Sequence, residues 1–459
     1  MRVALGIPYA TAPRFGEPRP VGFDPARAGG TRFGPAAPQA VDGPLGELVP
    51  GMRVRDLDED ACLTLNVWAP DARDAEPFPV LVWFHGGSFV IGASSQAVYD
   101  GTRLAAEQNL VVVSANYRLG AFGFLDARSF GGVANCGIRD AICALEWVRD
   151  NIAAFGGDPA RVVAFGESAG GGLVLHAVTA PSARDLVAGA IIQSGATFAT
   201  LDADRAAVVR EAVVEAAGVG DARALLDLTA DDLVKAQSTA MGSLLGTVGM
   251  MPFHPMVDGD LLPAAPVDAL AAGAATGVAL VAGTTADEMR LFVDGASDAP
   301  TRDRLVRRTA RYLGIDEPSS EHVIDRYAAT LGTADTRDIW RAIFGDNEMQ
   351  VPCRAVLDAH APLGPAYTYA FTWEGPDVGS CHGIDIPFAF GNFVEGWDVF
   401  VGLDDDGRAL SESMRTAWAA FARRGDPGWP AYPAARIFGR EVRDVAAHPF
   451  LGRLAAARS

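Results

Sequence analysis

The stretch Val162-Val163-Ala164-Phe165-Gly166-Glu167-Ser168-Ala169-Gly170-Gly171-Gly172 decides how this chain is read. Its four leading apolar residues predict a buried strand. The glycines predict a tight turn, and Leu173 to Val178, stopped by Pro181, predicts a helix. Ser168 stands at the apex, with glycine two residues before it and two after. That is the G-x-S-x-G spacing of a nucleophile elbow. So sharp a corner forces strained backbone angles on the serine, and a Cβ at either flanking glycine would collide with the neighbouring chain. The helix that follows aims its free N–H groups at the place where an oxyanion can form. The plainer alternative is a glycine-rich turn with no chemistry; the strand before it and the helix after it favour the elbow.

The rest of the chain repeats the alternation. Strands are expected at Leu63 to Trp68, Phe78 to Phe84, Leu110 to Ala115, Ala190 to Gln193, Val278 to Ala282 and Tyr367 to Trp373. Helical spacing marks Arg139 to Asn151 and Ser411 to Arg424, and helices are expected through 203–240 and 300–361. Residues 1–60, rich in proline and glycine, read as an extended segment lying over a domain surface. Such alternation implies an α/β fold with a mostly parallel central sheet flanked by helices. With the elbow it is the α/β-hydrolase architecture, the helical stretches being insertions that shape the pocket. No linker or repeat divides the chain, so residues 1–459 are expected to form one domain.

The formal net charge of −19 argues against a nucleic-acid or anionic-membrane partner. No apolar run reaches membrane-spanning length, and Met1 to Pro8 leaves no room for a signal-peptide core, so the chain is expected to be cytoplasmic. Lys235 is the only lysine. Cys62, Cys136, Cys143, Cys353 and Cys381 form no C-x-x-C pair and no Cys/His cluster, so they read as reduced, buried thiols and no metal is expected.

A serine hydroxyl needs a general base, and the base needs a group to orient it. In this fold the chain order is serine, acid, histidine. The acid is sought in Ala286-Asp287-Glu288-Met289, just past a strand end. One carboxylate there would reach the histidine while the other capped a helix start. Assigning the cap to Asp287 and the triad to Glu288 is one choice; spacing alone leaves the two nearly even. Of the later histidines, His322 and His360 fall in helical patterns and His448 follows no strand end. His382 sits in the glycine-flanked loop Gly379-Ser380-Cys381-His382-Gly383, beyond a strand, where the mechanism needs a base. His85 and His254 read as structural. The oxyanion donors would be the N–H of Ala169 and those of the Gly86-Gly87-Ser88 loop.

These motifs together resemble the type-B carboxylesterases, the group that includes the cholinesterases and bacterial para-nitrobenzyl esterases. The resemblance runs through Gly6-Ile7-Pro8-Tyr9-Ala10, Glu59-Asp60-Ala61-Cys62-Leu63, His85-Gly86-Gly87-Ser88-Phe89, Asn116-Tyr117-Arg118-Leu119-Gly120 and Phe155-Gly156-Gly157-Asp158-Pro159 to the elbow. It continues through Gln193-Ser194-Gly195, Val257-Asp258-Gly259, Asp287-Glu288 and His382-Gly383. It implies Glu288 as the acid beside Ser168 and His382. It also implies an oxyanion hole of Gly87, Ser88 and Ala169, and buried polar support from Glu167 and Ser194. The chain departs from the family at Ser88, which stands where a third glycine is usual, and at Ala61, where an acidic residue is usual. Cys62 has no upstream cysteine, so the disulfide of secreted relatives cannot form. The expected activity is cofactor-free hydrolysis of small-molecule carboxylic esters. Carbamates or activated amides would follow the same route to the acyl stage, and a non-catalytic binding protein of this fold is the rival reading. Phe89 and Phe198 are expected near an apolar pocket.

Overall fold

The computed structural model describes residues 1–25, 30–41, 49–51, 53–54, 56–71, 76–196, 200–245, 247–249, 251–294 and 299–458. Its centre is a ten-stranded sheet in the order β1-β4-β6-β5-β7-β8-β9-β10-β11-β12. These strands are β1 (Arg2–Pro8), β4 (Thr64–Ala69), β5 (Phe78–Phe84), β6 (Val111–Ala115), β7 (Gly157–Glu167), β8 (Gly189–Gln193), β9 (Ala279–Thr285), β10 (Ala366–Phe371), β11 (Ala435–Phe438) and β12 (Arg443–Val445). The run from β6 through β11 pairs in parallel, while β1, β4 and β12 close the edges antiparallel. A separate two-stranded ribbon joins β2 (Ala10–Thr11) to β3 (Arg19–Pro20).

The central strands are apolar throughout because both of their faces are buried. Alternation then divides their side chains between two cores. Val80, Val82, Phe84, Val162 and Ala164 point to one side, Leu81, Trp83, Val163 and Phe165 to the other. The first core takes the helices Cys136–Asn151, Ala169–Thr179, Ala203–Ala217 and Ala230–Leu244, the last two packed mainly against each other. The second takes Asp405–Arg424 through Met414, Trp418 and Phe421. The 300–361 insertion keeps a core of its own, in which Leu305, Ile324, Tyr327, Trp340 and Ile343 pack with Leu454 of the Arg453–Arg458 helix. Lys235 lies on the outer side of the Ala230–Leu244 helix, exposed, 3.1 Å from Asp232.

The N-terminal segment differs from its expected form. It is no loose cover: Arg2–Pro8 is an edge strand of the main sheet, with a register break between Ala4 and Ile7. Gly6 takes the left-handed region at φ 66°. Register also fixes where the chemistry gathers. Phe84 is level with Ala115 and with Gly166, and Gln193 with Glu167 and Gly283. The loops that leave these strands therefore open at one edge.

Candidate active site

Ser168 follows the last residue of β7 at φ 55° and ψ −126°, outside the regions open to most L-residues. The glycines around it are required by contact. A Cβ at Gly170 would stand 2.0 Å from Phe84 O, and one at Gly166 2.5 Å from Gly170 C. The Ala169–Thr179 helix begins at the next residue.

Opposite the elbow, β5 ends in His85-Gly86-Gly87-Ser88. Gly87 O accepts from the N–H groups of Val90 and Ile91, both at 3.0 Å, which curls the loop. Gly87 sits at φ 112°, Ser88 at φ 56° and Phe89 at φ 61°. Two successive non-glycine residues in the left-handed region are costly, roughly 1–3 kcal/mol each, and such strain marks functional loops. His85 supports the loop from behind. Its Nδ1 is 2.8 Å from Gly86 O, its ring stacks on Tyr117 at 4.6 Å, and burial lowers its pKa to about 4. Among the described residues, the N–H groups of Gly87, Ser88 and Ala169 have no protein acceptor.

Glu288 is buried just past β9. Its Oε1 accepts from Ser194 Oγ and from the Thr285 N–H, each at 2.7 Å, and its Oε2 lies 2.6 Å from His382 Nδ1. A parallel bridge between Asp287 and Cys381 sets the two loops side by side, so the residue after each meets the other. Asp287 does not cap a helix as expected. Its carboxylate turns toward Arg290 and Arg341, 3.4 and 3.7 Å away, where the guanidiniums offer charged partners that free N–H groups do not.

The other ring nitrogen of His382, Nε2, lies 3.2 Å from Oε1 of Glu167. Burial pushes Glu167 up to about 8. Burial also acts to lower His382, but Glu167 and Glu288 outweigh it and bring the imidazole to about 9. With Glu167 protonated, one of these two carboxylates no longer holds the imidazole up, and His382 titrates lower. Ser168 Oγ has no hydrogen-bond partner among the described residues.

Ser168, Gly87, Ser88, Glu167 and His382 share one cavity of about 60 Å³, space for roughly four to six waters. Val49, Tyr99, Leu291, Phe292, Ile386 and Trp397 complete its wall, and the Phe292 ring lies 5.7 Å from that of His382. None of these six was singled out from sequence. Phe292 lies in the short helix Arg290–Asp294 that follows the Glu288 loop. Phe89 is close but turned inward, packing on Phe124 at 4.8 Å. Phe198 lies outside the described residues. Among the described residues no group of His, Cys, Asp and Glu is arranged to hold a metal, and no helix is long and apolar enough to cross a membrane.

Residues 1–437 match the family model described as the carboxylesterase family. This chain belongs to that family. The carboxylesterase is 35% identical over 451 residues to the para-nitrobenzyl esterase of Bacillus subtilis (strain 168), covering 93% of this chain and 88% of that protein. It is 30% identical to a pyrethroid hydrolase of Mus musculus, across 99% and 85% of the two chains. Among solved structures it superposes on a thermophilic para-nitrobenzyl esterase with a TM-score of 0.86 at 33% identity, covering 98% of this chain and 95% of that one. A carboxylesterase of Geobacillus stearothermophilus gives 0.85 at 34%, covering 100% and 96%. The fold is that of the α/β-hydrolases, and the protein is a carboxylic ester hydrolase of the serine type.

Proposed function

We propose that Ser168, His382 and Glu288 form the catalytic triad of this esterase, with Gly87, Ser88 and Ala169 as its oxyanion hole. The observation that carries this is the 2.6 Å contact between Glu288 and Nδ1 of His382, a histidine that lines the same cavity as the strained Ser168. Ser168 Oγ attacks the ester carbonyl carbon while His382 Nε2 accepts the hydroxyl proton. The carbonyl oxygen gains the negative charge and takes the three free N–H groups. The imidazolium returns its proton to the departing alcohol oxygen as the C–O bond breaks. Water then attacks the acyl-serine by the same route and releases the acid. Glu288, fixed on Oε1 by two donors, holds the imidazole and stabilises its charged form. The hydrogen bond from Ser168 Oγ to Nε2 forms with substrate in place. Glu167 and Ser194 support the triad, one beside Nε2 and the other on Glu288.

The wall of Val49, Leu291, Phe292, Ile386 and Trp397 favours uncharged esters with an apolar or aromatic part. The names of the relatives, a para-nitrobenzyl esterase and a pyrethroid hydrolase, agree with that class. The reading treats residues 1–459 as one catalytic domain, supported by a sheet whose strands run from Arg2 to Val445. It places the enzyme in the cytoplasm, supported by five buried, unpaired cysteines. The test is Ser168→Ala assayed on para-nitrophenyl esters of graded chain length, beside labelling with a fluorophosphonate probe. Loss of turnover by at least about 10³-fold and loss of labelling are expected. Wild-type turnover in the variant would overturn the assignment.

A further inference from the structure

A second cavity, of about 290 Å³, reaches Glu288 but not His382. Its wall is charged, with Asp287, Arg290, Asp338, Arg341, Asp346 and Arg453. Arg341 comes from the Thr336–Gly345 helix of the 300–361 insertion. Its side chain is 11% exposed and touches three carboxylates: Asp294 at 2.7 Å, Asp287 at 3.7 Å, and Asp338. Arg290 meets Asp287 at 3.4 Å and Asp294 at 3.8 Å. Asp287 is therefore held from both sides, and it immediately precedes Glu288. Its backbone N–H donates to Ser380 O at 2.9 Å, and it bridges to Cys381, the residue before His382.

We infer that Arg341 is a positioning residue of the reaction. It neutralises Asp287 and ties the acid loop to the helical insertion, so that the field on His382 comes from Glu288 and not from the carboxylates behind it. This rests on the triad assignment above. The cluster holds three carboxylates, Asp287, Asp294 and Asp338, against two guanidiniums. Without Arg341 it would hold three against one. The Asp346–Arg453 pair and Glu374 line the same cavity, while Glu167, Glu288 and Asp385 face His382 directly. Burial pushes the Asp287 carboxyl up, and Arg341 followed by Arg290 pulls it back. A bare negative charge behind Glu288 raises the pKa of the base, and a bare positive charge lowers it.

The measurement is the pH dependence of kcat and kcat/KM on a short-chain para-nitrophenyl ester, for the full chain. Activity needs neutral His382, so the acid limb reports its pKa. Arg341→Met is expected to move that limb up by about half a pH unit, with KM within two-fold. Asp287→Asn, a neutral isostere, is expected to move it down. Arg341→Lys is expected to keep it in place. Limbs that stay put in both Arg341→Met and Asp287→Asn, or that shift the same way in both, would overturn the inference. Should Arg341→Met fail to fold, Asp287→Asn decides alone: a lowered limb supports the inference and an unmoved one refutes it. Failure of the triad reading would show separately, as full turnover by Ser168→Ala in the same assay.

Discussion

Oε1 of Glu167 stands 3.2 Å from Nε2 of His382, so the imidazole lies between two carboxylates, with Glu288 on the opposite nitrogen. A base with both nitrogens engaged by ionised acids could not take a proton from serine. Burial pushes Glu167 up to about 8 and so favours its protonated form, which leaves one ionised carboxylate on the imidazole instead of two.

Glu167→Gln should therefore leave the acid limb of kcat/KM within about 0.3 pH unit of the wild type. An ionised Glu167 would instead give a limb that falls by a unit or more in the variant. Stability gives a second readout. A carboxyl raised in the folded state stabilises below its unfolded pKa, and that contribution is lost as pH rises through about 8. Melting curves at pH 5 and pH 9 should show the variant gaining on the wild type at the higher pH.

Ser194→Ala removes one of the two donors on Glu288 Oε1 and leaves only the Thr285 N–H. An unpaired buried carboxylate lone pair costs about 1–3 kcal/mol. If roughly half of that appears in the transition state, kcat falls about two- to ten-fold with KM little changed. Steady-state kinetics will show it; a change in KM alone would assign Ser194 to substrate binding instead.

Arg118→Met should be a folding defect with little kinetic signature. Arg118 pairs with Asp140 through Nη2 at 2.7 Å and Nε at 2.8 Å, both side chains almost fully buried. Removing one partner strands the other, at a cost of about 3–5 kcal/mol in chemical denaturation. Replacing both partners with apolar residues should recover much of that loss.

The elbow was legible because it is over-determined. Glycine spacing, the apolar strand and the following helix all answer to one steric problem, and Gly170 against Phe84 O shows how little room there is. β5 was read to the residue for a similar reason, being apolar on both faces and bounded by Pro77-adjacent sequence and His85. The edge strands were not. β1 carries Gly6 and a register break, and β11 and β12 are four and three residues long, so none shows sustained alternation. The tie between Asp287 and Glu288 could not be broken by spacing because what separates them is tertiary. Arg341 of the helical insertion, with the nearby Arg290, claims one, and Ser194 and His382 claim the other. Asp385, buried against Gln193 and Tyr369, had no sequence signal at all.

The solitary, exposed Lys235 has a practical consequence. Lysine-directed coupling to an activated-ester resin can tether the enzyme through one side chain only. Lys235 is not among the residues that line the Ser168 cavity. Molecules held through this side chain would share a common orientation once the Met1 α-amine, the other acylable amine, is blocked.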